Sequence, residues 1–194
     1  MRILIMYATL MPVVIAGAAN MLFTKTQLYC SHCAPIDGGK NFSDGKRIFG
    51  DNKTWAGFFG MIAATALAQI MWGLLTASSG AIGSRNELYQ SFDNSLLFNA
   101  LAGAMFGLAY VLCELPNSFI KRRLDIKPGK TSHGFKGALF FIIDQIDSLL
   151  GVVLILTLFT GLTIPQYIQY IVLGALTHIA LNLILYAAKI RKNL

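Results

Sequence analysis

Charge is what this chain has least of. Only 13% of its 194 residues are Asp, Glu, Lys or Arg, against about 25% in an ordinary soluble domain. That shortfall argues against water as the main solvent. Cysteine is scarcer still, and Cys30, Cys33 and Cys113 are too few for the disulfide framework of a small secreted domain. A P-loop is missing too, because no GxxxxGK run ending in Ser or Thr occurs. Nor is there an internal repeat or a low-complexity tract. The first apolar run is too long for a signal peptide and has no small-residue cleavage pattern, so it is expected to be retained.

What is there is apolar: 55% of the residues are hydrophobic. A spanning helix needs about 20 mostly apolar residues, and five stretches qualify, at 3–23, 55–76, 96–116, 138–162 and 167–188. In lipid such runs must satisfy their own backbone, which leaves the helix. The expected fold is therefore all-α, a polytopic membrane protein with five transmembrane helices. Residues 1–194 read as a single membrane domain, with polar loops at 24–54 and 117–137.

The net charge of +7 is informative only by position. Fourteen of the 16 Lys and Arg residues fall in those two loops and in the C-terminal tail, leaving Arg2 and Arg85 on the other side. The positive-inside rule then puts the two loops and the C-terminus in the cytoplasm and the N-terminus outside. The basic charge thus belongs at a membrane surface, in contact with the bilayer, and no nucleic-acid partner is expected.

Acids inside a membrane segment are rare, because each costs roughly 2.5–3.5 kcal/mol on insertion scales. Asp144 and Asp147 lie three apart and so share one helix face. Two carboxylates that close repel unless a cation lies between them. The pair suggests Mg²⁺, which prefers carboxylate, water and phosphate oxygens; pairing with lysines of the adjacent loop is the alternative. Helix direction brings Asn20, Lys53, Thr54, Trp55, Glu114, Asn117 and Ser118 to the same depth. Glu114 is expected to pair with Arg122 or Arg123, and Trp55 to anchor at the interface. Gly103 and Gly107 have the GxxxG spacing of close helix packing and offer a packing face for a homo-oligomer. His178 and Asn182, one turn apart, suit an interhelical hydrogen bond. Cys30 and Cys33 have the spacing of half a zinc site, with no second pair in the loops to complete it.

Two segments then look familiar together. The run SFIKRRLDIKPGK, Ser118 to Lys130, followed by DQIDSLLG, Asp144 to Gly151, resembles the signature of the phosphatidate cytidylyltransferase superfamily through Ser118, Lys121, Arg122, Asp144 and Asp147. A His-Gly-Gly element expected before the aspartates is missing, and Gln145 stands where Arg is usual. Both departures, with the five spans, bring the chain closer to the CDP-archaeol synthase family. That family's first loop is matched at Pro35, Asp37, Gly38, Gly39, Asp44, Gly45, Lys46, Arg47, Gly50, Lys53, Thr54 and Trp55, and Asn20 fits as well. Ala56 departs from an expected Arg.

The resemblance implies CTP and a membrane lipid phosphate as substrates, with an archaeal-type unsaturated ether lipid favoured and a CDP-lipid and pyrophosphate as products. It implies Mg²⁺ on Asp144 and Asp147, with Lys121 and Arg122 beside them as catalytic groups. Nucleotide or phosphate contacts fall to Asn20, Asp37, Gly38, Gly39, Asp44, Lys46, Arg47, Lys53, Thr54, Ser118, Arg123 and Lys127. Asp37 and Asp44 are expected at a second metal or the ribose. A transporter or lipid-binding scaffold is the competing class, but transport sites lie near the midplane and these acids gather at one end. Diacyl phosphatidate is the competing acceptor, since nothing in the apolar runs reads tail chemistry.

Overall fold

In a computed structural model, residues 2–79, 85–130 and 134–187 are described. Five long helices, α1 (Arg2–Phe23), α3 (Trp55–Ala77), α5 (Leu96–Arg123), α6 (Gly134–Thr160) and α7 (Ile164–Ala187), are long and apolar enough to cross a membrane. Two short ones, α2 (Gln27–Ser31) and α4 (Glu87–Ser91), lie in the connections. The chain is all-α and polytopic, as its apolar runs require. The tail lysines and arginine and His133 lie outside the described residues.

Helix starts follow local chemistry. Thr54 caps α3 by accepting from the Gly57 amide, Ser95 caps α5 through Phe98, and Asn86 caps α4 through Leu88. Each side-chain oxygen satisfies an amide that the first helical turn leaves unpaired. Pro116 does not end α5, which runs on to Arg123. A proline removes one ladder bond, and the tertiary contacts of the last two turns outweigh that loss. The expected loop boundary at 117 therefore moves, and Asn117, Ser118, Lys121 and Arg122 stand on a rigid helix.

Glycine brings α5 into contact with its neighbours. A Cβ on Gly103 would lie 2.5 Å from the Thr65 carbonyl oxygen and 2.7 Å from Ala66 Cα on α3, and one on Gly107 would lie 2.7 Å from Ile62 Cα. Gly151 of α6 abuts the Ala109 carbonyl on the other side of α5 in the same way. The GxxxG face is thus filled by α3 of the same chain and is not free for a second copy. Leu10, Val13, Phe106, Val152, Leu156 and Tyr170 form the main apolar core. Leu67, Met71, Leu97, Leu158 and Ile164 point outward, each more than half exposed. An outward apolar belt is what a bilayer would cover.

At the end of the bundle away from the long loops, the Gln69 amide donates to Tyr89 Oη and Asn99 Oδ1. Trp72 Nε1 and Asn86 Nδ2 both donate to the Ala8 carbonyl. These bonds fasten the α4 connection to the helix ends. Asn182 Nδ2 donates to Gln145 Oε1 at 3.1 Å, joining α7 to α6 as its spacing suggested.

Candidate active site

The long first loop builds itself around one carboxylate. Asp37 accepts from the amides of Gly39, Phe49 and Gly50 at 2.9–3.0 Å and from Arg47 Nη2 at 2.8 Å. Burial alone would raise its pKa. The Arg47 guanidinium and the three amides outweigh this and hold it well below the usual carboxylate range. Gly38, Gly39, Gly45 and Gly50 all sit at positive φ, from 56° to 102°. Gly50 is required twice over, because a Cβ there would also strike Pro128 Cγ at 2.7 Å.

A second set of charges ties this loop to the end of α5. Arg123 Nη2 donates to the carbonyls of Arg47 and Lys46 at 2.6 and 3.0 Å, and its Nε lies 2.7 Å from Asp44. Its guanidinium also lies over the Phe42 and Phe119 rings. Lys46 Nζ donates to the Arg123 carbonyl and to Asp125. The structure therefore gives Asp37, Asp44, Lys46, Arg47 and Arg123 a scaffolding geometry, with their charges already matched. Gly38 and Gly39 shape the turn around Asp37.

This scaffold delivers Lys53 and Thr54 to the mouth of a cavity of about 770 Å³, walled by α1, α3, α5, α6, α7 and both long loops. Of the residues expected from sequence, Asn20, Lys53, Thr54, Ser118, Lys121, Arg122, Lys127, Asp144 and Asp147 line it. Lys53 pairs with Glu114 of α5, so the expected partners Arg122 and Arg123 are not the ones used. Burial pulls the Lys53 ammonium down, but Glu114 and the more distant Asp147 and Asp144 outweigh it, leaving its pKa above the ordinary lysine value. Trp55 is 45% exposed beside Phe59, the placement of an interfacial anchor.

On the far wall, Lys121 Nζ donates to both oxygens of Asp144 at 2.5 and 2.6 Å. Asn117 Nδ2 donates to Asp144 Oδ1 at 2.7 Å and Asp147 Oδ2 at 2.6 Å. One amide nitrogen thus bridges the two carboxylates. The buried Asn117 Oδ1 has no hydrogen-bond partner among the described residues. Two carboxylates beside a neutral oxygen are a hard donor set, which fits Mg²⁺.

Arg122 completes the wall. Only 7% of it is exposed, and its Nε and Nη1 have no hydrogen-bond partner among the described residues. A buried guanidinium without an anion is costly, so the cavity is poised for a negatively charged guest. Sequence reasoning left Glu114 and Asn117 out of the site set. Their signal was the i, i+3, i+7 spacing of Glu114, Asn117 and Lys121, visible only if the helix is carried through Pro116. Tyr29 was missed as well: it lines the cavity and hydrogen-bonds Thr54 Oγ1 at 2.8 Å.

The chain is similar to known proteins along most of its length. A protein CDP-archaeol synthase of Archaeoglobus fulgidus is 36% identical over 163 residues, covering 81% of this chain and 82% of that one. One from Methanoculleus marisnigri is 35% identical over 158 residues, covering 78% and 84%. One from Pyrobaculum islandicum is 30% identical over 196 residues, covering 100% and 99%. A solved structure described as an intramembrane enzyme for archaeal membrane lipids biosynthesis shares the fold, with a TM-score of 0.61 at 23% identity over 91% of this chain and 92% of that one. The family model described as CarS-like, CDP-archaeol synthase matches residues 2–193, and with these relatives it establishes that the chain belongs to the CDP-archaeol synthase family.

Proposed function

We propose that this protein transfers a cytidylyl group from CTP to the phosphate of a glycerol-phosphate lipid, releasing pyrophosphate. Family membership supports the enzyme class, and the relatives' name, CDP-archaeol synthase, supports an archaeol-type lipid, so an archaeal-type unsaturated ether lipid phosphate is the acceptor we favour. The observation that carries the reading is Arg122, a buried guanidinium short of partners in a cavity that also holds Lys53, Lys121 and Lys127. Polyphosphate is the guest that such a set accepts.

The chemistry asks little of a base. A phosphate monoester has a second pKa of about 6, so its oxygen is already a nucleophile at neutral pH. That oxygen attacks the α-phosphorus of CTP, a new P–O bond forms, and the bond to the bridging oxygen of the β-phosphate breaks. Pyrophosphate leaves with the electron pair. What the protein must do is hold two anions together and stabilise the charge gathering on the leaving group. Arg122 and Lys127 hold the triphosphate from the loop side, and Lys53 and Lys121 meet the acceptor phosphate at the depth of the lipid head groups. Asp144 and Asp147 would hold Mg²⁺, which supplies positive charge to phosphate oxygens. The scaffold around Asp37 keeps the loop closed over the nucleotide.

The distribution of Lys and Arg supports a cytoplasmic site in a cell-membrane protein, with the N-terminus outside and the C-terminus inside. The deciding experiment is purified protein with Mg²⁺, each nucleoside triphosphate in turn, and a panel of unsaturated ether and diacyl lipid phosphates. CTP with the ether lipid phosphate should release the most pyrophosphate. No release with CTP and any lipid would reject the reaction.

A further inference from the structure

A second, apolar cavity opens off the polar one. It is a groove of about 70 Å³ between α1 and α7, floored by α6. On α1 it runs from Leu10 through Val13 and Gly17 to Met21, and on α7 from Gly174 through Leu181 to Leu185. Both stretches are eleven residues apart end to end, so each covers about 17 Å of helix at 1.5 Å per residue. The hydrocarbon core of a bilayer is about 30 Å thick, so the groove matches the depth of one leaflet. Its inner end is continuous with the polar cavity, because Gly17, Met21, Tyr110, His178 and Asn182 line both. Its outer lips, Val14, Ala18, Leu181 and Leu185, are half-buried. The flanking Ile15 and Ile184 are 45% and 64% exposed on the surface a bilayer would cover.

Gly17 is what keeps this groove open. A Cβ built there meets nothing within 4 Å, unlike those on the tightly packed Gly103, Gly107 and Gly151. Glycine costs a helix about 1 kcal/mol relative to alanine, and neither packing nor backbone conformation demands it at this position. The space it leaves is the feature that distinguishes the site.

We propose that this groove receives one hydrocarbon tail of the lipid phosphate acceptor, and that Gly17 sets the width of chain it admits. The inference rests on the reading of the polar cavity as the lipid phosphate site. A lipid whose phosphate reaches Lys53 and Lys121 must lead its tails back into the membrane, and this groove starts at that cavity and ends at the lipid-facing surface. Lipid tails are as apolar as the groove walls, so leaving the bilayer for the groove changes little hydrophobic free energy. The groove therefore aligns the acceptor more than it attracts it, and blocking it will act on long-tailed substrates above all.

The test uses the full chain in lipid vesicles containing a geranylgeranyl glycerol phosphate with a photoreactive diazirine midway along one tail. On illumination, label should fall on α1 between Leu10 and Met21 and on α7 between Gly174 and Leu185. It should drop at least fivefold in Gly17→Leu and less in Gly17→Ala, which adds a single methyl. Label spread evenly over outward residues such as Leu67 and Leu158, or unchanged in Gly17→Leu, would overturn the proposal. Melting in detergent checks that both variants remain folded. Turnover is read separately, with geranylgeranyl and short prenyl glycerol phosphates. Gly17→Leu should lower kcat/KM about tenfold more for the long acceptor, and equal losses for both would overturn the role of Gly17. Groove labelling without pyrophosphate release in the wild type would reject the reaction while keeping the groove.

Discussion

Lys53, at the end of the first long loop, and Glu114, in the α5 helix, form an ion pair across the cavity although 61 residues separate them. The pair joins the first long loop to a helix at the mouth of the cavity. Lys53→Ala removes both a link and a phosphate contact. A hydrogen bond to a charged group is worth about 1.5–3 kcal/mol, so the apparent KM for the lipid phosphate should rise about 10- to 100-fold. Initial rates against lipid phosphate concentration check this, and an unchanged KM removes Lys53 from the site. Glu114→Gln with Lys53→Ala completes a double-mutant cycle, in which melting should show a coupling of about 1–3 kcal/mol.

Asp144→Asn keeps the size of the side chain and removes its charge. The Lys121 ammonium then loses its carboxylate, and the cation site that we propose loses one of its two. Turnover should fall by about 100-fold or more, by analogy with loss of one electrostatic stabiliser in other active sites. The melting temperature in detergent should change little, since the Asp144 side chain is 38% exposed. Substantial Mg²⁺-dependent activity in this variant would sink the assignment. A purely structural defect would show instead as a fall in melting temperature.

Cys30 and Cys33 supply a direct test of orientation, because both thiols are free and exposed on the first loop or its short helix. Cys113 sits within α5 and is only partly accessible. A membrane-impermeant maleimide should label the first two in inverted membrane vesicles and leave them untouched in intact cells. Labelling from outside intact cells would reverse the topology and place the cavity on the wrong side for CTP.

The five spans and the polar layer were legible in the sequence because both follow from short-range pattern. Hydropathy fixes a spanning helix within about 20 residues, and the three-residue spacing of Asp144 and Asp147 fixes a shared face. The division of labour among the loop charges was not legible. Lys46 reaches Asp125 across 79 residues and Arg123 reaches the Arg47 carbonyl across 76, so nothing local distinguishes a scaffolding lysine from a site lysine. Pro116 misled for a related reason. Its local preference is to end a helix, and only the tertiary setting of Asn117, Ser118 and Arg122, all buried, carries α5 onward. The carboxylate pair could be found from sequence alone, and the amide that spans it only by carrying the helix through Pro116.

Asp37 gives the first loop a pH dependence whose sign follows from its partners. Its pKa is lowered in the folded protein by Arg47 and by the amides of Gly50, Phe49 and Gly39, relative to about 3.9 in an unfolded chain. A carboxyl with a depressed folded pKa contributes stability above the unfolded value and loses it as pH falls toward the folded one. The loop should therefore be fully held at neutral pH and at pH 5, and should loosen progressively below about pH 4. Hydrogen exchange at the Phe49 and Gly50 amides is the direct readout, because both donate to Asp37 at 2.9 Å. Protection of both amides, taken relative to the intrinsic exchange rate at each pH, should fall below about pH 4 in the wild type. In Asp37→Asn, where no carboxylate remains to protonate, protection should be low already at neutral pH and should lack the acid-induced fall attributable to this site. The same variant should lose activity at neutral pH without any change to a residue lining the cavity. If Asp37→Asn instead keeps full activity and wild-type exchange at both amides, the carboxylate does not hold the loop.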